Sequence, residues 1–264
     1  MTNAISCDME RSQQDPNTPV KTAQTTFRIV ETLKALDGAT VTELADHLDI
    51  AKSSAHNYLR TLEHEGYVVE TDGTYEVGLR FLDLGGYARS RERLYTVATP
   101  EMERLAEATG EYANLLVEEQ GLGVFLARER GSNAVSLDSY TGQSVRLHTT
   151  ALGKTILAYL PRERAESIVD RHGLPAMTAH TITDRTELFD ALEEIRQREC
   201  AYDREERIKG LNCVAVPIHC EDDIAGALSV SGPVSRMGQE RIEEEILPEL
   251  RRAANIVELN QTHS

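Results

Sequence analysis

Lys52, Ser53, Ser54, His56, Asn57 and Arg60 fall within one short segment. Together they carry the hydroxyl, imidazole, amide and guanidinium groups that pair with base edges, and an ammonium that pairs with phosphate. Such chemistry needs a narrow rigid rod, and the flanking sequence predicts one. Between Val41 and Tyr67, Leu44, Ala45 and Leu48 share one helical face, and Ala55, Tyr58, Leu59 and Leu62 share another. Asp49-Ile50-Ala51 leaves room only for a turn, and Lys52-Ser53-Ser54 opens the second helix with hydroxyls suited to capping it. This is a helix-turn-helix whose second helix presents a polar N-terminal end, the part that enters a major groove in DNA-binding proteins of this kind.

A second group of residues suggests different chemistry. Cys200, Cys213, His219 and Cys220 are soft ligands close in sequence, so a metal- or thiol-redox-sensing regulator is the alternative reading, although their spacing matches no standard zinc site. An enzyme would need one of these cysteines as nucleophile and His148 or His219 as base. No cysteine stands in a nucleophile motif, so no enzyme and no cofactor are expected. Four cysteines suit a reducing cytoplasm without structural disulfides.

The elements that position these groups can be read in order. Residues 1–20 are polar and aperiodic and are expected to form a disordered tail. Gln24 to Asp37 reads as a first helix ended by Gly38. Gly66 to Glu70 and Tyr75 to Gly78 read as strands joined by an Asp72-Gly73 hairpin turn, which makes the helix-turn-helix a winged one over 21–78. A linker helix, interrupted at Gly85-Gly86, is expected over 79–98. From 99 to 264 the pattern changes: a helix from Glu101 to Thr109, strands at Ala113–Glu118, Gly123–Ala127 and Ala134–Tyr140, helices at Leu152–Leu160 and Thr186–Arg198, strands at Asn212–His219 and Ile224–Ser231, and a final amphipathic helix from Gly238 to Leu259. This is an α+β domain on an antiparallel sheet. No apolar run is long enough to span a bilayer and no signal peptide is visible, so a cytoplasmic protein with no membrane partner is expected.

The net charge of −16 argues against nucleic acid. Residues 21–86 hold six Lys and Arg against eleven Asp and Glu, so even the first domain is net −5. The kind of acidity resolves the conflict. Only five basic residues are lysine (21, 34, 52, 154, 209), and scarce lysine with abundant Asp and Glu resembles proteins adapted to molar salt. A halophilic protein is expected, in which counterion release contributes little to DNA affinity, base contacts and shape carry more of it, and an acidic wing is tolerated.

Leu147-His-Thr-Thr-Ala-Leu-Gly-Lys154 resembles the Leu-His-x-Thr-Ala-x-Gly-Lys signature of the IclR family of transcriptional regulators. Thr181-Ile-Thr-Asp184, Asp203 to Pro217 and Ala227 to Pro233 resemble further family motifs in the same order, as do Lys52-Ser53-Ser54 and Tyr75-x-Val-Gly78 in the wing domain. The resemblance covers about residues 24 to 258. It implies a winged helix-turn-helix, a linker helix and a GAF/PAS-like effector-binding domain. It also implies a homodimer or homotetramer, a palindromic double-stranded DNA operator, and control of a catabolic operon by a small metabolite such as a carboxylate. The effector-binding residues it implies are Ala151, Leu152, Gly153, Asp203, Cys213, Ser229 and Ser231. Helix-start N–H groups at Leu152 and Gly153 suit an anion, and Ser229 and Ser231, two apart on a strand, share a face. Each residue also has a plainer reading: the serines as local caps, Cys213 as core, His148 as a satisfied histidine, and Asp203 as the partner of Arg204 or Arg207. Two departures stand out. Glu199-Cys200-Ala201 replaces the family's Gly-aromatic-Ala, which is expected to cost a helix terminator and an aromatic at the pocket edge. Asn57 replaces a frequent Arg, which implies a different operator.

Overall fold

The structure, a computed structural model, describes residues 20–136, 139–221 and 223–262. The expected tail lies outside the described residues except for Val20, which is exposed. The chain divides into two compact units, Met1–Ala88 and Arg89–Ser264.

In the first unit α1 (Lys21–Ala35), α2 (Val41–Leu48) and α3 (Lys52–His64) precede a hairpin of β1 (Val68–Thr71) and β2 (Thr74–Val77). Ile29, Leu33, Leu44, Ala55, Leu59, Leu62, Val68 and Tyr75 form one apolar core from all five elements. Thr40 and Glu43 close a reciprocal cap on α2, in which the Glu43 carboxylate accepts the Thr40 N–H at 2.8 Å. Asp72 and Gly73 both have positive φ (52° and 84°), the twist that a two-residue hairpin requires. One expectation fails here. Ala51 is the N-cap of α3 and no side chain caps it; Ser53 and Ser54 lie inside the first turn and are exposed. Helix α4 (Arg80–Ser90) follows, held to the turn between α3 and β1 by Arg80, whose guanidinium donates to the Glu65 carbonyl and lies 4.8 Å from the Tyr67 ring centroid. Gly85 and Gly86 do not interrupt it; the helix breaks at Arg91-Glu92 instead.

The second unit begins with α5 (Arg93–Thr109). The helix expected from Glu101 starts eight residues earlier and carries Pro100 in its interior. Burial of Leu94, Ala98, Met102 and Leu105 along one stripe outweighs the backbone hydrogen bond that proline removes. The sheet that follows is antiparallel throughout, in the order β5-β4-β3-β8-β7-β6. Its strands are β3 (Tyr112–Glu119), β4 (Leu122–Arg130), β5 (Ser144–Arg146), β6 (Ala201–Arg204), β7 (Leu211–Cys220) and β8 (Asp223–Pro233). The described residues of the segment expected as a strand at Ala134–Tyr140 form none, and Leu137 and Asp138 lie outside the described residues. The pairing strand is β5, whose three residues are too few for a period-2 pattern to mark. β6 was likewise unanticipated.

Helices cover both faces of the sheet. α5 and the C-terminal helical segment share one core with Leu115, Val214, Val216, Leu228 and Val230. That segment runs through α9 (Gln239–Arg241), a π turn (Ile242–Ile246) and α10 (Leu247–Thr262). On the other face α6 (Ala151–Tyr159), α7 (Arg162–His172) and α8 (Arg185–Arg198) pack over Leu116, Phe125, Ala201, Ala215 and Ala227. α7 is a helix the sequence pattern did not announce. Glu111, its side chain fully buried, ties the α5–β3 turn to the C-terminal segment: its carboxylate accepts two hydrogen bonds from Arg236 (2.7 and 2.8 Å) and one from Arg241 (3.1 Å). Burial alone would raise its pKa; the two guanidiniums outweigh it and hold the carboxyl below its ordinary range.

Candidate functional site

Sheet register gathers the polar residues of the second unit on one face. Asp203 on β6 pairs with Cys213 on β7, Cys213 with Ser231 on β8, and Ser229 with Asn114 on β3. The N-terminus of α6 lies over this row. Thr150 is its N-cap, its hydroxyl accepting the Gly153 N–H at 2.9 Å.

These groups line a cavity of about 30 Å³. Ala151, Leu152, Asp203, Cys213, Ser229 and Ser231 all border it, so six of the seven residues singled out in the sequence meet in one place. Gly153 does not. Its N–H is taken by the Thr150 cap, and a Cβ there would lie 2.1 Å from the Leu147 carbonyl oxygen. Glycine is required at this position because α6 approaches the preceding turn so closely, and the expected pair of helix-start donors is reduced accordingly.

The rest of the signature motif is structural. His148 is buried, and its Nε2–H donates to the Pro175 carbonyl at 3.0 Å; burial pushes its pKa down to about 4, so it stays neutral. Lys154 is buried and reaches both Glu206 oxygens at 2.5 Å. Thr181 and Thr178 donate to the Glu206 and Glu205 carbonyls at 2.6 and 2.7 Å. Asp184 caps α8, accepting the Glu187 N–H at 2.9 Å. The second motif thus fastens the loop after β6, and that loop forms the cavity floor.

Asp203 does not pair with Arg204, whose guanidinium donates to Gln239. Its carboxylate accepts the Glu206 N–H at 2.7 Å. Burial, and then the neighbouring Glu206 charge, push it up to about 7, against the backbone donors of Glu206 and Arg207 and the Lys154 ammonium. The Cys213 thiol is pushed well above its ordinary range by burial, with Asp203 adding to the effect. A thiol so disposed is a poor nucleophile. The expected loss of an aromatic at the pocket edge is not realised: Cys200 is buried in the core on the other face of the sheet. The missing terminator has a visible consequence, since Glu199 itself takes the left-handed conformation, φ 56°.

Several lining residues were not singled out in the sequence as site residues, among them Asn114, Phe125, Arg128 and Arg207. Asn114 is buried, donating from Nδ2 to the Ser229 and Ser231 hydroxyls at 3.2 and 3.0 Å. Its Oδ1 accepts Arg128 Nε–H at 2.9 Å. The guanidinium carbons of Arg128 and Arg207 lie 5.3 and 5.4 Å from the centroid of the Phe125 ring. A buried asparagine amid Ala113, Leu115 and Leu116 was the available signal, because a polar side chain inside an apolar strand must have partners.

In the first unit Lys52, Ser53, Ser54, His56, Asn57 and Arg60 are all exposed, while Ala55, Leu59 and Leu62 on the opposite face of α3 are buried. Ser53, His56, Asn57 and Arg60 repeat at the spacing of one helix face. From Ile50 to Leu62 there is no Asp or Glu. Among the described residues no group of His, Cys, Asp and Glu converges as a metal site. Cys200 lies in the core, Cys213 at the cavity and Cys220 at the exposed end of β7. No helix is long and apolar enough to cross a membrane, among the described residues.

Known proteins share this arrangement. Residues 87–259 match the family described as bacterial transcriptional regulator IclR C-terminal, and residues 22–72 match the IclR helix-turn-helix domain. The chain is 32% identical over 236 residues to a probable HTH-type transcriptional regulator, ArcR, of Halobacterium salinarum, covering 88% of this chain and 90% of that one. The crystal structure of the Thermotoga maritima IclR superimposes with a TM-score of 0.73 at 28% identity, covering 92% of this chain and 99% of that one. An IclR homologue from Microbacterium hydrocarbonoxydans, solved in complex with 4-hydroxybenzoate, superimposes with a TM-score of 0.70 at 26% identity over 85% of this chain and 91% of its own. With a family match across most of its length, this chain belongs to the IclR family of DNA-binding transcriptional regulators.

Proposed function

We propose that the protein is a homodimeric or homotetrameric regulator of a catabolic operon, working at high salt in the cytoplasm, that binds a palindromic operator through α3 and a small carboxylate in the β-sheet cavity. In this reading residues 21–78 form the DNA-binding domain, 79–98 the linker and 99–264 the effector-binding domain. Effector occupancy shifts the placement of two recognition helices through the linker. The observation that carries the proposal is the exposed face of α3 presented by Ser53, His56, Asn57 and Arg60, in a stretch free of Asp and Glu from Ile50 to Leu62, in a chain of net charge −16. Surface acidity is general, yet it is kept off the first three turns of the helix that would meet phosphates, with Glu63 entering only in the last turn. Lys52 would bind the backbone; Ser53, Ser54, His56, Asn57 and Arg60 would read the groove. Asp203, Cys213, Ser229, Ser231 and the Ala151-Leu152 helix start would hold the effector.

Genome-wide occupancy of the tagged protein in its own host tests the reading, with sharp sites sharing a palindrome beside catabolic genes expected. Arg60→Ala should then weaken binding to such a site ~10- to 100-fold without changing the melting temperature, the loss of one base-reading guanidinium. The double variant Ser229→Ala/Ser231→Ala should keep DNA binding and lose the effector response. Diffuse wild-type occupancy, or an Arg60→Ala protein with the wild-type footprint, would refute the placement of α3.

A further inference from the structure

Arg128 borders the cavity as a cation whose hydrogen bonds all go to neutral groups. Its Nε–H donates to the Asn114 amide oxygen at 2.9 Å and an Nη1–H to the Ser139 carbonyl, and its guanidinium carbon lies 4.8 Å from the Tyr112 ring centroid. Among the described residues Nη2 has no acceptor and no carboxylate pairs with the side chain. Burial lowers its pKa, and the charge of Arg207 adds to the effect. A guanidinium taken partly out of water is costly unless an anion accompanies it. Arg207, also in the lining, has partners of its own, and the site needs only Arg128.

Three neutral donors on the same wall are uncommitted. Arg128 has donors and no acceptor, so the Asn114 atom facing it is the amide oxygen, and the Asn114 NH₂ group is turned toward Ser229 and Ser231. Both serine oxygens therefore accept from it. Ser231 donates its own proton to the Cys213 sulfur. Ser229, 1% exposed, has no acceptor for its proton among the described residues. At the start of α6 the Gly153 N–H is taken by Thr150, whereas the Ala151 and Leu152 N–H groups have no acceptor among the described residues. Ser229, Ala151 and Leu152 all border the cavity with Arg128. The carboxylate of the lining, Asp203, accepts the Glu206 N–H and is neutral below about pH 7, where it does not repel an anion. Lys154 and Glu206 neutralise each other.

We propose that the cavity binds a halide ion such as chloride, held by the Arg128 guanidinium, the Ser229 hydroxyl and the Ala151 and Leu152 N–H groups. Volume points the same way. At about 30 Å³ the cavity has room for about two waters, which a monatomic anion fits, alone or with one water, while a molecule of several heavy atoms enters only if the wall moves. The inference goes beyond the effector reading and does not depend on it. An anionic effector would have to displace this ion, but the halide site stands or falls by itself.

Crystals of the full-length protein grown at pH 6 in molar sodium bromide test the site, with an anomalous bromide peak expected in contact with Arg128, Ser229 and the start of α6. In solution, melting is followed at pH 6 while chloride or bromide replaces methanesulfonate, a larger anion, at constant potassium. The wild type should gain a saturable, halide-specific rise in melting temperature. Arg128→Gln should weaken the apparent halide affinity ~10- to 100-fold and Ser229→Ala ~3- to 10-fold, the loss of one charged and one neutral donor. Should Arg128→Gln melt below the wild type in methanesulfonate, Ser229→Ala, which leaves Arg128 in place, carries the comparison. No bromide in the cavity overturns the proposal. A peak accompanied by the same halide response in the wild type and both variants is an adventitious ion only, and overturns it equally. A cavity without bromide, in a protein whose effector response is lost on Ser229→Ala/Ser231→Ala, removes the halide and leaves the effector site standing.

Discussion

Replacing Asp203 by asparagine should make the protein more stable, and increasingly so as pH rises. The carboxyl of Asp203 ionises near 7 in the folded protein, against an ordinary value of 3.8. The folded state therefore holds this proton more tightly than the unfolded chain does. Stability from this group is complete below about pH 4, declines by about 1.4 kcal/mol per pH unit as the unfolded chain alone releases the proton, and is lost above about 7; the full cost is about 4 kcal/mol. The side chain of the Asp203→Asn variant cannot ionise, yet its amide oxygen can still accept the Glu206 N–H that Asp203 accepts at 2.7 Å. Any constant difference between a neutral acid and an amide cancels when two pH values are compared. Between pH 5 and pH 8 the variant should thus gain about 3 kcal/mol on the wild type. Urea unfolding of both full-length proteins at pH 5, 6, 7 and 8 measures this directly. A difference that stays flat across that range would mean that Asp203 ionises as in water, and the dry, like-charged surroundings assigned to it would be wrong. A confirmed gain would show that the chain keeps a destabilising carboxyl at its cavity, as expected where binding rather than stability has set the residue.

Two further outcomes test the frame around the cavity. Glu111→Gln should cost ~3 kcal/mol near neutral pH, because it leaves Arg236 and Arg241 without their shared counter-charge. Since the Glu111 carboxyl is held below its ordinary range, its contribution is present above the unfolded value and is lost as pH falls through the folded one, so the variant should also show a weaker acid-induced loss of stability than the wild type in a circular-dichroism titration. Glu199→Gly should raise stability by roughly 0.5 kcal/mol, relief of a left-handed residue less the extra backbone entropy of glycine; a lower melting temperature would show that the Glu199 side chain makes a contact worth more than the strain.

What the sequence disclosed and what it withheld follow from the range of each interaction. The winged helix-turn-helix was legible because its determinants are local: apolar spacing on α2 and α3, a three-residue turn, and Asp72-Gly73 at the hairpin. The break between α4 and α5 was misplaced because glycine and proline were taken as terminators by local rule. Gly85 and Gly86 sit in an exposed helix, where they only weaken it, and Pro100 sits in a buried one, where packing overrides it. β5 and β6 have three and four residues, and a strand that short is defined by its neighbour rather than by its own pattern.

The site divides in the same way. Six residues were found through a motif, which reports that they are needed but not what each does. Gly153 was named as a seventh although its role is steric, and the position of Cys200 was placed at the pocket edge although Cys200, just before β6, lies in the core on the opposite face. Arg128 and Arg207 were missed for the opposite reason. In an arginine-rich chain with 23 of them, nothing local separates an arginine on the surface from one over Phe125. Only the β3–β4 and β3–β8 registers bring Arg128, Asn114, Ser229 and Ser231 together, the asparagine lying 14 residues from the arginine and 115 and 117 from the two serines. The electrostatic character of the cavity is thus a tertiary property. A motif locates the cavity, but the charge on its wall is set by residues outside the motif, so a relative that shares Leu147 to Lys154 would carry a different charge there by changing a single strand position such as Arg128.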